Sequence, residues 1–230
     1  MMKLWYLSKI NALEDLTDAE MREIDSKSVM KKYKKNSHIY SGSNVAGNVY
    51  LLKKGIVRIY KVSDMGKEVT LQILNAGDIF GDLFLNREAS NDREAKAISD
   101  VLLCRINKTL FFDVLMRNKK AFARLNEELG EQITELEELL SMFAFKNIDQ
   151  RVCFILKKIY DKFGPEITKI NLTHDEIAKM IGATRESTTL TLDKIRDLGI
   201  IDLSRGTIRI KDISLLTRIE ECGLDDYHTH

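Results

Sequence analysis

The stretch that most restricts what this chain can become is LTHDEIAKMIGATRESTTLTLDKIRDLGIIDL, Leu172 to Leu203. Thr173 is a good N-cap, and Glu176 three positions on completes the spacing that satisfies two orphan amide donors at a helix start. Ile177, Ala178 and Ile181 share one face of that helix. Gly182 ends it, because glycine accepts a positive φ that a side chain resists, and Thr184 caps a second helix two residues later. So short a turn makes the two helices cross. The second helix turns Thr188, Thr191, Leu192 and Ile195 inward and leaves Arg185, Glu186, Thr189, Leu190 and Asp193 on or near the other side. Ser204 to Gly206 then makes a tight turn and Thr207 to Ile210 alternates as a strand, which adds a β-wing beside the helices.

A winged helix-turn-helix with this outer row is expected to enter a DNA major groove. Arginine bonds guanine O6 and N7 together and glutamate accepts from cytosine N4, so Arg185 and Glu186 are candidate base readers, with Ser187, Thr189 and Leu190 beside them. Lys179 near the turn and Arg205 in the wing are candidate phosphate contacts. Net charge does not decide the matter: the chain carries only +1, and residues 146–230 hold as many acidic as basic side chains. The reading rests on arrangement. No Ser-His-Asp set, phosphate-cradling glycine loop or metal-ligand spacing is visible, so an enzyme is not expected.

From Ile39 to about Asp212 the chain resembles the Crp/Fnr superfamily of bacterial transcription regulators, with Thr184, Arg185 and Glu186 standing as the family's recognition-helix start. The residues upstream are consistent with this. Half of the 12 glycines fall between Gly42 and Gly81, punctuating short β-rich runs: NVYLL, IVRIYKV and VTLQIL, the last two joined by a hairpin turn at SDMGKE. Val69, Leu71 and Ile73 alternate with Thr70 and Gln72. Such strands predict a jelly roll or roll-like barrel, and by resemblance this is the family's double-stranded β-helix, a cyclic-nucleotide-binding-like sensor. Ahead of it, Thr17 and Glu20 mark a helical lead-in, and Lys31, Lys32, Lys34 and Lys35 read as a solvated strand edge.

In relatives that bind cyclic AMP, a Gly-Glu-Leu segment and a following Arg-Ser or Arg-Thr pair clasp the ribose and phosphate. Here the first is Gly81, Asp82, Leu83. Asn91 falls at the arginine position, Arg93 comes two residues late, and Glu94 stands where a hydroxyl is expected. The Thr-Ser pair that holds the adenine is replaced by Leu136 and Glu137. Asp82, Leu83, Arg93 and Leu136 are therefore the effector-site candidates, and cyclic AMP is not the expected effector.

Phe122, Leu125, Leu129, Ile133, Leu136, Leu140 and Phe143 recur at steps of three and four, a seam opposite a row rich in glutamate. With no second helix of like pattern in the chain, the expected partner is a second copy, and the resemblance makes this the dimerisation helix. The expectation is thus an α+β chain of three parts: a sensor roll with its lead-in over 1–118, a dimerisation helix over 119–145, and a winged helix-turn-helix DNA-binding domain over 146–230, with Asn147 as the hinge. IDQRVCFILKKIYDKFG opens that last part as an amphipathic helix closed by Gly164 and Pro165, and DISLLTRIEECG follows the wing as another. Its expected partners are double-stranded DNA bearing an inverted repeat, a second copy and, from the resemblance alone, RNA polymerase. The alternative is a cyclic-nucleotide-type sensing module acting on a protein partner, against which Arg185 and Glu186 speak.

Cys104, Cys153 and Cys222 are too far apart for a disulfide framework or zinc motif, and the clustered N-terminal cysteines of iron-sulfur relatives are missing. Neither the lone strand histidine His38, as a haem ligand, nor the terminal pair His228 and His230 makes a metal site, so no cofactor is expected. No stretch is apolar and long enough to span a bilayer and no leader pattern opens the chain, so a cytoplasmic location is expected.

Overall fold

The computed structural model describes residues 10–42, 46–85, 93–163, 172–204 and 207–224. In chain order the elements are a 3-10 turn Asn11–Leu13, α1 Asp18–Lys27, β1 Val29–Tyr33, β2 His38–Tyr40, β3 Asn48–Lys54, β4 Val57–Val62, β5 Glu68–Leu74, β6 Ile79–Gly81, β7 Arg93–Ala97 and β8 Val101–Asn107. Then come α2 Lys108–Arg117, α3 Lys119–Phe145, α4 Ile148–Phe163, α5 His174–Ile181, α6 Arg185–Asp197, β9 Ile201–Ser204, β10 Thr207–Ile210 and α7 Ile213–Cys222. Two compact units result, Met1–Leu136 and Glu137–His230, and the division falls inside α3.

In the first unit the described strands form two antiparallel four-stranded sheets, in the orders β1-β8-β3-β6 and β2-β7-β4-β5. The period of two in β3 and β8 builds two cores from one sheet. Val49 and Leu51 of β3 and Cys104 and Ile106 of β8 meet the helices, where Leu13, Ile24, Phe111, Leu115, Ala121 and Leu125 are buried. Their neighbours Tyr50, Leu52, Val101 and Leu103 face the second sheet, where Val57, Ile59, Leu74, Ala95 and Ala97 complete the filling. Tyr40, Tyr50 and Phe80 stack there at centroid distances of 5.1 to 6.2 Å.

The lead-in helix α1 is closed as its sequence suggests, with Thr17 and Glu20 in a reciprocal capping box. Lys31 and Lys32 of the lysine run lie on β1, which among the described strands is an edge paired with β8, where lysines discourage further strand pairing. Lys34 and Lys35 follow the strand, Lys34 ion-paired with Asp100 at 3.0 Å. The hairpin between β4 and β5 closes where the Ser63 amide donates to the Lys67 carbonyl at 2.8 Å and the Lys67 amide donates to Ser63 Oγ at 3.1 Å. Strand β5 departs from the simple alternation. The register slips between Ile59 and Tyr60, whose partners are Gln72 and Thr70, so Leu71 is passed over and the residues of β5 that are buried are Thr70 and Leu74. A bulge changes which face follows, and the apolar row Val69, Leu71, Ile73 ends half-buried.

In the second unit α4 begins at a reciprocal cap. The Gln150 amide donates to Asn147 Oδ1 at 3.0 Å and the Asn147 amide to Gln150 Oε1 at 3.1 Å. Helices α4, α5, α6 and α7 and the β9-β10 hairpin then pack as a winged helical unit around Val152, Leu156, Ile177, Ile181, Leu192, Ile195 and Ile219. No described helix is long and apolar enough to cross a membrane.

Candidate nucleic-acid interface

Local chemistry sets the two crossing helices. Helix α5 starts with the capping box of Thr173 and Glu176 and ends at Gly182, whose φ of 65° is the left-handed conformation. A Cβ at Gly182 would stand 3.0 Å from the Phe143 ring, so glycine serves both the turn and a close approach. Helix α6 starts at Thr184, whose side chain accepts from the Ser187 amide. Its buried face is Thr188, Thr191, Leu192 and Ile195, the four positions the periodicity puts inward.

Two of those four are polar, and each hydroxyl is satisfied. Thr188 donates to the Thr184 carbonyl at 2.9 Å, and Thr191 to Asp149 Oδ1 of α4 at 2.8 Å. The Thr191–Asp149 bond orients α6 and could not be read from local spacing. Arg151 is a second such group. Its guanidinium donates to the carbonyls of Lys146 at 2.8 Å, Phe143 at 3.0 Å and Ile181 at 3.3 Å, and sits 5.5 Å from the Phe143 ring centroid. It therefore joins the last turn of α3 to the last turn of α5, where a cation also suits the negative ends of helix dipoles.

On the outer face Arg185 and Glu186 are exposed and, among the described residues, hold no side-chain partner. Leu190 is 65% exposed, a large apolar surface in water at mid-helix. Ser187 and Thr189 are half-buried. Thr189 is not a free hydroxyl: its Oγ1 lies 2.9 Å from Nδ1 of His174, the first residue of α5. Sequence reasoning passed over His174, since only the tertiary crossing brings it to Thr189. Lys179 is ion-paired with Asp175 at 3.1 Å, and a phosphate would have to compete with that carboxylate. The Arg205 assignment lies outside the described residues, as do Asn91, Gly164, Pro165, His228 and His230.

The effector candidates stand in different settings. Asp82 is fully buried and its carboxylate is occupied: it accepts from the Gly47 amide at 2.9 Å and the Phe84 amide at 3.3 Å and pairs with Lys108 at 3.2 Å. It pins the turn before β3 to the segment after β6. Leu83 packs against the helix-side core, and Leu136 is 41% exposed on α3. Arg93 opens β7 opposite Lys61. Its neighbour Glu94 accepts from the Tyr60 hydroxyl at 2.7 Å and lies 3.4 Å from His38, which answers for that histidine without a metal.

The seam on α3 is narrower than its periodicity suggests. Leu125 is buried in its own unit and Leu129 packs against the same core, while Phe143 lies beside Arg151 and Gly182. What remains in water is Phe122, Ile133, Leu136 and Leu140, the last 69% exposed. The glutamate row opposite is not all solvated either, since Glu128 accepts from the Ile79 amide at 3.4 Å and neighbouring Gln132 bonds Gln72 at 3.2 Å.

Residues 30–118 match the family described as the cyclic nucleotide-binding domain, and residues 150–219 the family described as the Crp-like helix-turn-helix domain. The chain is 25% identical over 188 residues to the Cyclic AMP receptor protein of Thermus thermophilus, covering 81% of this chain and 86% of that one. Among solved structures, FixK2 from Bradyrhizobium japonicum superposes with a TM-score of 0.75 at 19% identity, over 84% of this chain and 97% of the other. A transcriptional regulator of the CRP/FNR family from Thermus thermophilus does so with a TM-score of 0.66 at 22% identity, over 84% and 98%.

The Asp82 network generates a pH-dependent prediction. Burial alone would raise the Asp82 pKa, but the Gly47 amide, Lys108 and the Phe84 amide outweigh it and the net direction is downward. A depressed folded-state pKa contributes stability that is present above the unfolded value of about 3.9 and is lost as pH falls through the folded one. Asp82→Asn should therefore destabilise the first unit by about 1.5–3 kcal/mol at pH 7. In urea melts the gap from wild type should close below about pH 4, and a gap that holds constant to pH 3 would contradict this role.

Proposed function

Since this chain belongs to the Crp/Fnr superfamily of DNA-binding transcription regulators, we propose that it works as a homodimer reading an inverted repeat, with one α6 in the major groove of each half-site. The observation that carries this reading is the start of α6, where exposed Arg185 and Glu186 stand on a helix whose other face is fixed by buried hydroxyls and apolar packing. Two recognition helices related by a two-fold axis demand half-sites about one helical turn apart. Ser187, Thr189 and Leu190 complete the groove face, and Lys179 and Arg205 are assigned to phosphates. Contact with RNA polymerase is proposed from family membership, and a location with the DNA in the cytoplasm goes with it.

In this reading residues 1–118 are the sensor roll, 119–145 the dimerisation helix and 146–230 the DNA-binding domain. The second copy covers Phe122, Ile133, Leu136 and Leu140. The last three, with Leu129, keep the alternating four-and-three spacing of a two-stranded seam.

Cyclic AMP is not the proposed switch. The carboxylate at the ribose-binding position is consumed by Lys108 and two backbone amides, Glu94 is held by Tyr60, and Leu136 offers an adenine no hydrogen bond. Either another small molecule acts on the roll or the protein is governed by its abundance.

Three outcomes follow from this reading. Leu136→Lys should weaken the dimer by on the order of 3 kcal/mol through lost burial and an unpaired ammonium. Light scattering at micromolar concentration checks it, and an intact mutant dimer would remove the seam. Titration calorimetry with cyclic AMP should give no micromolar binding coupled to tighter DNA binding. Finally, selection from random DNA should return an inverted repeat whose G and C positions follow Arg185 and Glu186, with a T-rich or tolerant position facing Leu190. Arg185→Ala should lose discrimination at one base by about 1–3 kcal/mol, and unchanged base preference would take α6 out of the groove.

A further inference from the structure

We propose that His174 is a specificity-determining positioning residue, which fixes the direction in which the Thr189 hydroxyl offers its hydrogen bond to the DNA. The proposal rests on the reading of α6 given above. Thr189 lies one turn beyond Arg185 on the same helix face, half-buried, with its Oγ1 2.9 Å from His174 Nδ1.

A threonine hydroxyl carries one proton and two lone pairs on a freely turning bond, so it can donate or accept and by itself reads either kind of base edge. A ring nitrogen at hydrogen-bond distance removes that freedom. His174 is the first residue of α5, where the backbone amides present partial positive charge. In the tautomer that carries its proton on Nε2, Nδ1 presents a lone pair to the Thr189 hydroxyl. Nδ1 then accepts the Thr189 hydroxyl proton, and the Oγ1 lone pairs are what remain for the groove. Thr189 becomes an acceptor, matched to the amino groups at adenine N6 or cytosine N4 and mismatched to guanine O6 or thymine O4.

The bond is not needed to hold α5 on α6. Ile177, Met180, Ile181, Leu192 and Ile195 are already buried, and the Thr188 and Thr191 hydroxyls are already bound elsewhere. A half-exposed side-chain bond adds little to that packing.

Selection of preferred sites from random DNA with the full chain tests the assignment. Wild type should prefer A or C at one position of each half-site by about 3- to 10-fold, the worth of one net hydrogen bond. His174→Ala should erase that preference and leave the bases read by Arg185 and Glu186 unchanged, with thermal melting confirming that it folds. His174→Asn, whose Oδ1 can accept the same proton, should restore the preference, and Thr189→Val should lose it. If His174→Ala keeps the wild-type preference at every position, or weakens all sequences equally, the pair is only a clamp between helices and the proposal falls. A wild-type preference for G or T at that position overturns it as well. A wild type that selects no site at all fails the DNA reading itself, and the two failures are told apart by the positions assigned to Arg185 and Glu186.

Discussion

A helix that leaves Ile133, Leu136 and Leu140 in water, between 41% and 69% exposed, carries an apolar stripe that costs free energy until something covers it. Helix α3 is committed on its other side, where Ala121 and Leu125 enter the helix-side core and Glu128 and Gln132 bond strands of the roll. It cannot turn to hide the stripe without breaking those contacts. The proposed second copy answers this constraint, and what the protein does with DNA depends on it: one chain presents one reading helix, and two related by symmetry present a pair.

The reading helix in turn depends on a few polar groups rather than on apolar packing alone. Arg151 takes three carbonyls from the ends of two helices, Asn147 and Gln150 cap each other at the start of α4, and Asp149 receives the Thr191 hydroxyl of α6. Each satisfies a backbone or hydroxyl group that would otherwise be left without a partner. Among them the Thr191–Asp149 bond joins α6 to α4 directly and, being directional, fixes how α6 stands on α4 more sharply than the leucine and isoleucine contacts do. Asn147, read as the hinge, thus lies within the second unit and takes part in the cap that opens α4.

How far sequence reading reached depends on whether the determinant was local. The capping box at Thr173 and Glu176, the glycine stop at Gly182 and the inward row Thr188, Thr191, Leu192, Ile195 all follow from neighbours within a turn or two, and the structure has each where it was read. The roll strands were legible for the same reason, as runs cut by glycines. What was missed came from long-range pairing. Asp82 looked like a shortened ribose ligand because its partners Gly47 and Lys108 lie far along the chain. Leu125 shared a periodicity with the exposed stripe but falls toward the core, since a heptad pattern marks an apolar face without saying which neighbour takes it. The bulge in β5 moved burial onto Thr70, and the crossing of two helices gave His174 a partner that no motif names.

The claim on which the rest stands is that two chains share one stretch of duplex through the α3 stripe. Sedimentation equilibrium of the full chain with a short duplex carrying its selected repeat measures this directly, because the mass of the complex counts the chains. The account predicts two chains per duplex and two chains for the free protein at micromolar concentration. One chain bound per duplex at full affinity, with a monomer free in solution, would contradict it.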